Sequence, residues 1–370
     1  MKTFKLALAM LLAFTLGLNL PGVRAANFSQ GFAALLQSLQ LIRTQALDSP
    51  DELALMRGAT RGLVKALADP YSSYLEPDDF QALKAEESGQ VVGVGLELAY
   101  RQQQVLVMSV LDQTPAEAAG LQPGDRILAI DGQSADQLSW PEILRQMQGL
   151  PGQSLNLSVQ SHGHLRKLTL VRQILNLQAL SFRRLTADIC QLRIRTFFNE
   201  NLHQQVSERL AQSLGDCSGG LILDLRNNPG GLLTEALSLA GQLGIQGTVV
   251  QIVSREGRVQ TEATQSEALL LDTLPLLVLI NGGTASAAEV LAAALQESGR
   301  AQLMGETSFG KGLVQSLLPL SDGSGLSLTT HRYLTLKGKN LHQAGIVPDI
   351  PAQDPEHLLE QAQAYLQSPP

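Results

Sequence analysis

The run Leu274-Pro275-Leu276-Leu277-Val278-Leu279-Ile280-Asn281-Gly282-Gly283-Thr284-Ala285-Ser286-Ala287-Ala288-Glu289 reads as a buried strand, a glycine turn and the start of a helix. Residues 274–280 have no polar face, so the strand must be covered on both sides. The helix is predicted over 287–297. The same pattern occurs once more upstream. Leu221-Ile222-Leu223-Asp224-Leu225 is a short buried strand, Asn227-Asn228-Pro229-Gly230-Gly231 is a glycine turn, and a helix runs on through residue 243. A strand at 189–194 and an amphipathic helix at 201–214 precede it. Apolar strands alternating with helices predict an α/β core, with its sites where strands run out into helices.

Ser286 falls at the amino end of its helix. There the first N–H groups lack intrahelical partners and the helix dipole favours negative charge. The Ala287 N–H is therefore a candidate donor to a developing oxyanion. The loop holding Gly230 and Gly231 can bring a second N–H close, because glycine lets backbone approach without side-chain interference. An ordinary helix cap is the alternative reading of Ser286. Lys311 follows 25 residues later in Phe309-Gly310-Lys311-Gly312, among apolar neighbours. A lysine titrates ordinarily at about 10.4 and becomes a base near neutrality only when desolvated or placed beside another positive charge. Gln315 could orient the amine if the chain bends, since in an extended strand four residues span roughly 13 Å.

Residues 305–312 also match a phosphate-binding loop except at the last position, where Gly312 replaces the Ser/Thr that ligates magnesium. The stretch after it looks extended rather than helical, so nucleotide binding is not expected. The six histidines form no constellation. His162 and His164 are a weak metal pair in a hairpin turn, His331 sits in an apolar strand-like run, and neither cofactor nor metal is expected.

Upstream the character changes. Residues 88–174 carry short strands with glycine turns, among them 105–110, 126–130, 155–159 and 165–171, and a helix beginning at Trp140. Residues 27–83 are helical in pattern, stopped by Asp69-Pro70-Tyr71. Before them, Lys2 and Lys5 precede the mostly apolar run 6–20, with small residues around 23–25, as in a secretory leader. Its removal would take the formal charge from -7 to -10 with the loss of Lys2, Lys5 and Arg24. Neither value suits nucleic acid. For Cys190 and Cys217, a bridge and two separate thiols both remain open; neither has metal-ligand spacing.

At these residues the chain resembles the C-terminal processing peptidases, or tail-specific proteases. The resemblance rests on Asp69-Pro70-Tyr71 with Tyr74-Leu75 and on Gly93-Val94-Gly95-Leu96-Glu97-Leu98. It continues in Thr114-Pro115-Ala116, in Gly124-Asp125-Arg126-Ile127 and in the run 223–231. The serine and lysine runs, Thr329-Thr330 with Arg332-Tyr333, and Gly345-Ile346-Val347-Pro348-Asp349 complete it. Thr284 and Ala288 replace serines often seen in that family, and Leu336-Lys337-Gly338-Lys339 departs from its usual Pro-Ser-Gly-Arg. The resemblance implies a crotonase/ClpP-like α/β protease core with an inserted β-rich PDZ domain and an N-terminal helical segment. It divides the chain into a leader (1–25), a helical segment (26–88), the PDZ domain (89–175), the protease core (176–351) and a tail (352–370). It implies Ser286 as nucleophile, Lys311 as base, Gln315 in support, and an oxyanion hole from Ala287, Gly230 and Gly231. Gly93, Val94, Gly95 and Leu96 would hold a substrate's free C-terminus.

The expectation is an exported serine endopeptidase of the periplasm or thylakoid lumen acting on protein or peptide substrates with free C-termini. No nucleic-acid or nucleotide partner is expected, and peripheral membrane association is left open. The alternative is a PDZ peptide-binding scaffold with an inactive protease core.

Overall fold

The computed structural model describes residues 25–48, 51–69, 71–86, 91–101, 104–138, 140–161, 163–175, 179–213, 215, 217–264 and 274–368. The leader, Pro70, Ser139 as helix cap and His162 lie outside them. The chain divides into residues 1–63 and 64–370. The first unit holds helix α1 (Ala25–Gln45) and most of α2 (Glu52–Lys65), with Arg43 paired to Glu52 at 2.8 Å. Leu41 and Leu53 remain exposed on these helices. No helix among the described residues is long and apolar enough to cross a membrane.

The second unit begins with β1 (Ser73–Leu75) and α3 (Pro77–Glu86) and continues into the PDZ module. Strands β2 (Val91–Gly93), β3 (Leu96–Arg101) and β4 (Gln104–Val110) lead to the single turn α4 (Pro115–Ala118). Then come β5 (Arg126–Ile130), β6 (Gln133–Ser134), α5 (Trp140–Met147), β7 (Ser154–Ser161), β8 (His164–Val171) and β9 (Gln173–Leu175). The sheet order is β3-β4-β5-β7-β8, which leaves β3 at an edge. Strand β7 alternates buried and exposed residues, because one face packs on Ile127, Ile130 and Ile143 while the other meets water. The incoming β2 and outgoing β9 pair with each other, closing the module at its neck.

The core runs from β10 (Leu180–Arg184) and β11 (Ile189–Ile194) through α6 (Leu202–Ser213), β12 (Gly220–Asp224) and α7 (Leu233–Gln242). The hairpin β13 (Thr248–Ser254) and β14 (Val259–Ala263) follows, then β15 (Leu276–Ile280), α8 (Ala287–Glu297) and β16 (Gln302–Gly305). It closes with β17 (Leu313–Pro319), β18 (Gly325–Leu334), β19 (Ile350–Pro351) and α9 (Leu358–Gln367). The main sheet is ordered β10-β11-β12-β15-β16-β19 and is parallel from β11 onward. Leu192, Leu223, Val278 and Leu303 point to one face, under α6, α7 and α8. Ile189, Ile222, Leu277 and Leu279 point to the other, where α9 covers them with Leu358 and Ala362. The tail is thus part of the core's packing, and each such leucine or isoleucine adds about 1.5–3 kcal/mol by leaving water.

A second sheet, β1-β18-β13-β14 with β17 on β18, lies beside the first. Strand β1 joins it through Ser73↔Ser327, so the N-terminal segment contributes a strand to the core. Cys190 and Cys217 are disulfide-bonded, tying β11 to the turn before β12.

Candidate active site

Ser286 has φ 54 and ψ -123, outside the extended region that an ordinary helix cap adopts. A non-glycine residue at positive φ is strained and persists only where its surroundings fix it. The surroundings here are a glycine loop and a buried carboxylate. A Cβ on Gly230, itself at φ +99, would lie 2.7 Å from Ser286 Cβ and 2.9 Å from the Ala287 nitrogen. The two glycine loops are also stitched together. Ala285 N–H donates to the Asn228 carbonyl at 2.9 Å, Thr284 Oγ1 to the Leu225 carbonyl at 2.8 Å, and Asn281 Nδ2 to Asn227 Oδ1 at 2.8 Å.

The carboxylate is Glu289, fully buried in the first turn of α8. Its Oε2 accepts from the Ser286 N–H at 2.9 Å and from the Lys311 N–H at 2.8 Å. Its Oε1 accepts from the Gly310 N–H at 2.7 Å and Ser308 Oγ at 2.5 Å. Burial pushes Glu289 above the ordinary carboxylate range, and its four donors pull the other way. One carboxylate therefore ties the main chains of Ser286 and Lys311 together. Sequence reasoning gave Glu289 no role, although Ser286-x-x-Glu289 at a helix start is the spacing of a capping box and was the available signal.

Lys311 is half-buried, and its amine lies among packed atoms. Burial pushes its pKa down, opposed by the Glu97 and Glu289 carboxylates. Glycines flank it because another backbone passes too close for side chains. A Cβ on Gly312 would meet the His342 nitrogen at 2.5 Å, and one on Gly310 the Gly345 nitrogen at 2.9 Å. Tyr71, from the Asp69 turn, meets the His342 ring edge-on at 6.2 Å. Downstream, β17 is a strand rather than the helix a phosphate loop requires. Its pairing with β18 passes from Val314↔His331 to Gln315↔Thr329, so Thr330 is the extra residue and the bulge lies in β18. Gln315 Nε2 points to Thr329 Oγ1 at 3.4 Å. Among the described residues, no hydrogen bond joins the Ser286 hydroxyl to the Lys311 amine.

In the proposed oxyanion hole, the Gly230 N–H is spent on Asn228 Oδ1 at 2.9 Å. Gly231, bridged to Phe197, and Ala287, at the first turn of α8, stand beside it. In the PDZ module, the Val94 carbonyl accepts from Ala116 N–H and the Gly95 carbonyl from Leu111 N–H, each at 2.9 Å. These bonds fix the loop of Gly93, Val94, Gly95 and Leu96, whose Val94 and Leu96 share the module's core with Trp140 and Ile143 of α5. No group of side chains among the described residues could hold a metal ion.

The PDZ module lies directly on these loops. Ala99 and Met108 pack with Ala285 and Phe309, and Ser109 Oγ donates to the Asn227 carbonyl at 2.6 Å. Asp112 bridges Arg193 and Arg195 at 2.8 Å each. Behind them Arg226 pairs with the buried Asp224 at 2.7 Å, which holds the Asp224 carboxyl below its usual range despite burial. A polar cavity of about 460 Å³ opens here, lined by Asp112, Arg193, Arg226, Asn227 and Asn281 among others. Ser286 and Lys311 do not line it, and they sit instead beneath the docked module.

A parallel α/β sheet carrying a helix-start serine, a buried lysine and a docked PDZ module defines a serine-type peptidase with a peptide-reading domain. The chain belongs to peptidase family S41, among the carboxyl-terminal-processing proteases. The S41 model matches residues 188–352, a PDZ domain model 106–161, and the model of the activating protease CtpB N-terminal domain 22–79. A carboxyl-terminal-processing protease of Synechocystis is 37% identical over 305 residues, 80% of this chain and 71% of that protein. Carboxy-terminal processing protease CtpA of Bacillus subtilis is 30% identical over 358 residues, 96% of this chain and 76% of its own length. The solved photosystem II D1 C-terminal processing protease superposes with a TM-score of 0.76 at 32% identity, covering 90% of this chain and 91% of that one.

Proposed function

We propose that this chain is an exported endopeptidase that takes the free C-terminus of a protein substrate into its PDZ module and cleaves upstream of it. The Ser286 hydroxyl attacks the scissile carbonyl as neutral Lys311 accepts its proton. The amine then returns that proton to the leaving nitrogen, and water resolves the ester by the same route. Gln315 orients the amine once substrate is captured. Ala287 and Gly231 offer N–H groups to the oxyanion, and Gly230 joins them when its loop releases Asn228.

The observation that carries the reading is the Glu289 carboxylate, which binds the Ser286 and Lys311 main chains on one oxygen. A strained serine and a desolvated lysine held by one buried group suit a nucleophile and its base better than a cap and a loop residue. The docked module, and the lack of a hydrogen bond between the Ser286 hydroxyl and the Lys311 amine among the described residues, fit a resting arrangement that substrate capture rearranges. The disulfide fits export, since such bridges persist in oxidising compartments.

The test compares an unfolded protein bearing a free C-terminus with the same protein amidated there. Wild type should degrade the first faster, and Ser286→Ala should degrade neither. Equal degradation of both by wild type would remove the C-terminus reading. Peptide binding without turnover by wild type would favour a scaffold.

A further inference from the structure

The PDZ face pressed onto the catalytic loops carries a carboxylate that the peptide-reading role does not use. In β3, Leu96, Leu98 and Tyr100 face the module's own core, so Glu97 and Ala99 face the opposite way. Ala99 shows what lies there, because it is buried against Ala285 and Phe309, which precede Ser286 and Lys311. The partner strand reinforces this placement. The β3–β4 register slips between Glu97 and Leu98, opposite Ser109 and Val107, so Met108 is the extra residue of a bulge. Bulges re-aim side chains. Here Val107 and Val110 stay in the module's core, whereas Met108 joins Ala285 and Phe309 and Ser109 bonds to the Asn227 carbonyl. Three contacts therefore register this face on the catalytic loops, and half-buried Glu97 shares it with Ala99, which packs on Phe309 two residues before Lys311.

Two carboxylates act on the Lys311 amine. Those of Glu289 are committed to four donors inside the core, while Glu97 arrives from the other domain. The remaining titratable groups around the lysine segment come from β18 and the passing loop. Arg332 and His331 stand opposite Leu313 and Val314, and His331 Nδ1 meets Thr330 Oγ1 at 2.8 Å. The Tyr333 N–H bonds the Gly312 carbonyl, with its phenol pushed up to about 12 by burial, and the His342 backbone lies against Gly312.

We propose that Glu97 is a counter-ion delivered by the PDZ module, holding Lys311 as an ammonium while the module is docked. The inference rests on the peptidase reading of Ser286 and Lys311. Strand β3 is the edge of the PDZ sheet, so a substrate C-terminus adding a strand there joins the strand that carries Glu97. Capture then withdraws the carboxylate, Lys311 loses its extra proton to water, and the neutral amine can take the Ser286 proton. Glu97 acts through Lys311 and so is a positioning residue.

The experiment uses the full chain with Glu97→Gln and an amidated peptide that cannot engage the module. The acid limb of the rate–pH profile should move about one unit lower, giving a roughly tenfold faster basal rate below that limb. Glu97→Asp should return the limb toward wild type. In parallel, the eight lysines are labelled with ¹³C at Cε in a Ser286→Ala background and titrated by NMR, with Lys311→Arg identifying the resonance. A lower Lys311 midpoint in Glu97→Gln supports the proposal, and an unmoved midpoint overturns it. Should wild type hydrolyse nothing, the peptidase reading fails on its own while the NMR midpoint still decides on Glu97.

Discussion

Glu289→Gln is the substitution that most sharply separates a structural carboxylate from one that assembles the site. Each carboxylate oxygen takes two donors, so glutamine can satisfy only one pair. Its NH₂ must then face two N–H or O–H donors in a site without solvent. If the amide oxygen stays with Ser308 and Gly310, the Ser286 and Lys311 N–H groups lose their acceptor. At about 1–3 kcal/mol for each buried donor left unpaired, the loss is roughly 2–6 kcal/mol of stability. Misplacing reacting groups by about 1 Å costs on the order of 100-fold in rate. Urea unfolding followed by circular dichroism measures the first effect. Turnover of an unfolded protein, at urea-free conditions where the variant is folded, measures the second. Stability within about 0.5 kcal/mol of wild type together with an undiminished rate would refute the reasoning.

Gly95→Ala should abolish capture of C-terminal peptides in a fluorescence-polarisation assay, because φ is +85 and the new Cβ would lie 2.2 Å from Thr114; unchanged affinity would count against the proposed loop. Replacing both Cys190 and Cys217 by serine frees a 27-residue loop, and loop entropy predicts a loss of about 3–4 kcal/mol in denaturant unfolding; no loss would mean the bridge contributes nothing to stability. The rate should rise with pH as Lys311 becomes neutral, with its limb below the ordinary lysine value of about 10.4 because burial lowers the folded pKa. Since the folded state then binds fewer protons than the unfolded chain between those two values, stability also rises with pH across that window. A limb at the ordinary value would contradict a desolvated amine.

Much of the core could be read from continuous apolar runs. The expected strand at 189–194 and helix at 287–297 coincide with β11 and α8, because buried sheets and helices leave an uninterrupted signature in sequence. The hairpin β13–β14 carries no such mark, since Val259 is exposed and its strand is mostly polar. Strand β1 is three residues whose extended form comes from pairing with β18, a contact across more than 250 positions. The tail helix α9 left only a short amphipathic trace. At the site, Ser286 and Lys311 stood out by their glycine settings, whereas the bulges at Met108 and Thr330 are set by partner strands and have no local code. Glu289 was written beside the serine, but its ties to Ser308, Gly310 and Lys311 exist only after the chain folds.

The central claim is that Ser286 becomes acylated because Lys311 takes its proton. Rapid acid quench of wild type with an unfolded substrate, followed by peptide mapping by mass spectrometry, should find an acyl group on the peptide containing Ser286. In Lys311→Ala that adduct should be absent. Acylation at another residue, or equal acylation of Ser286 without Lys311, would contradict the account.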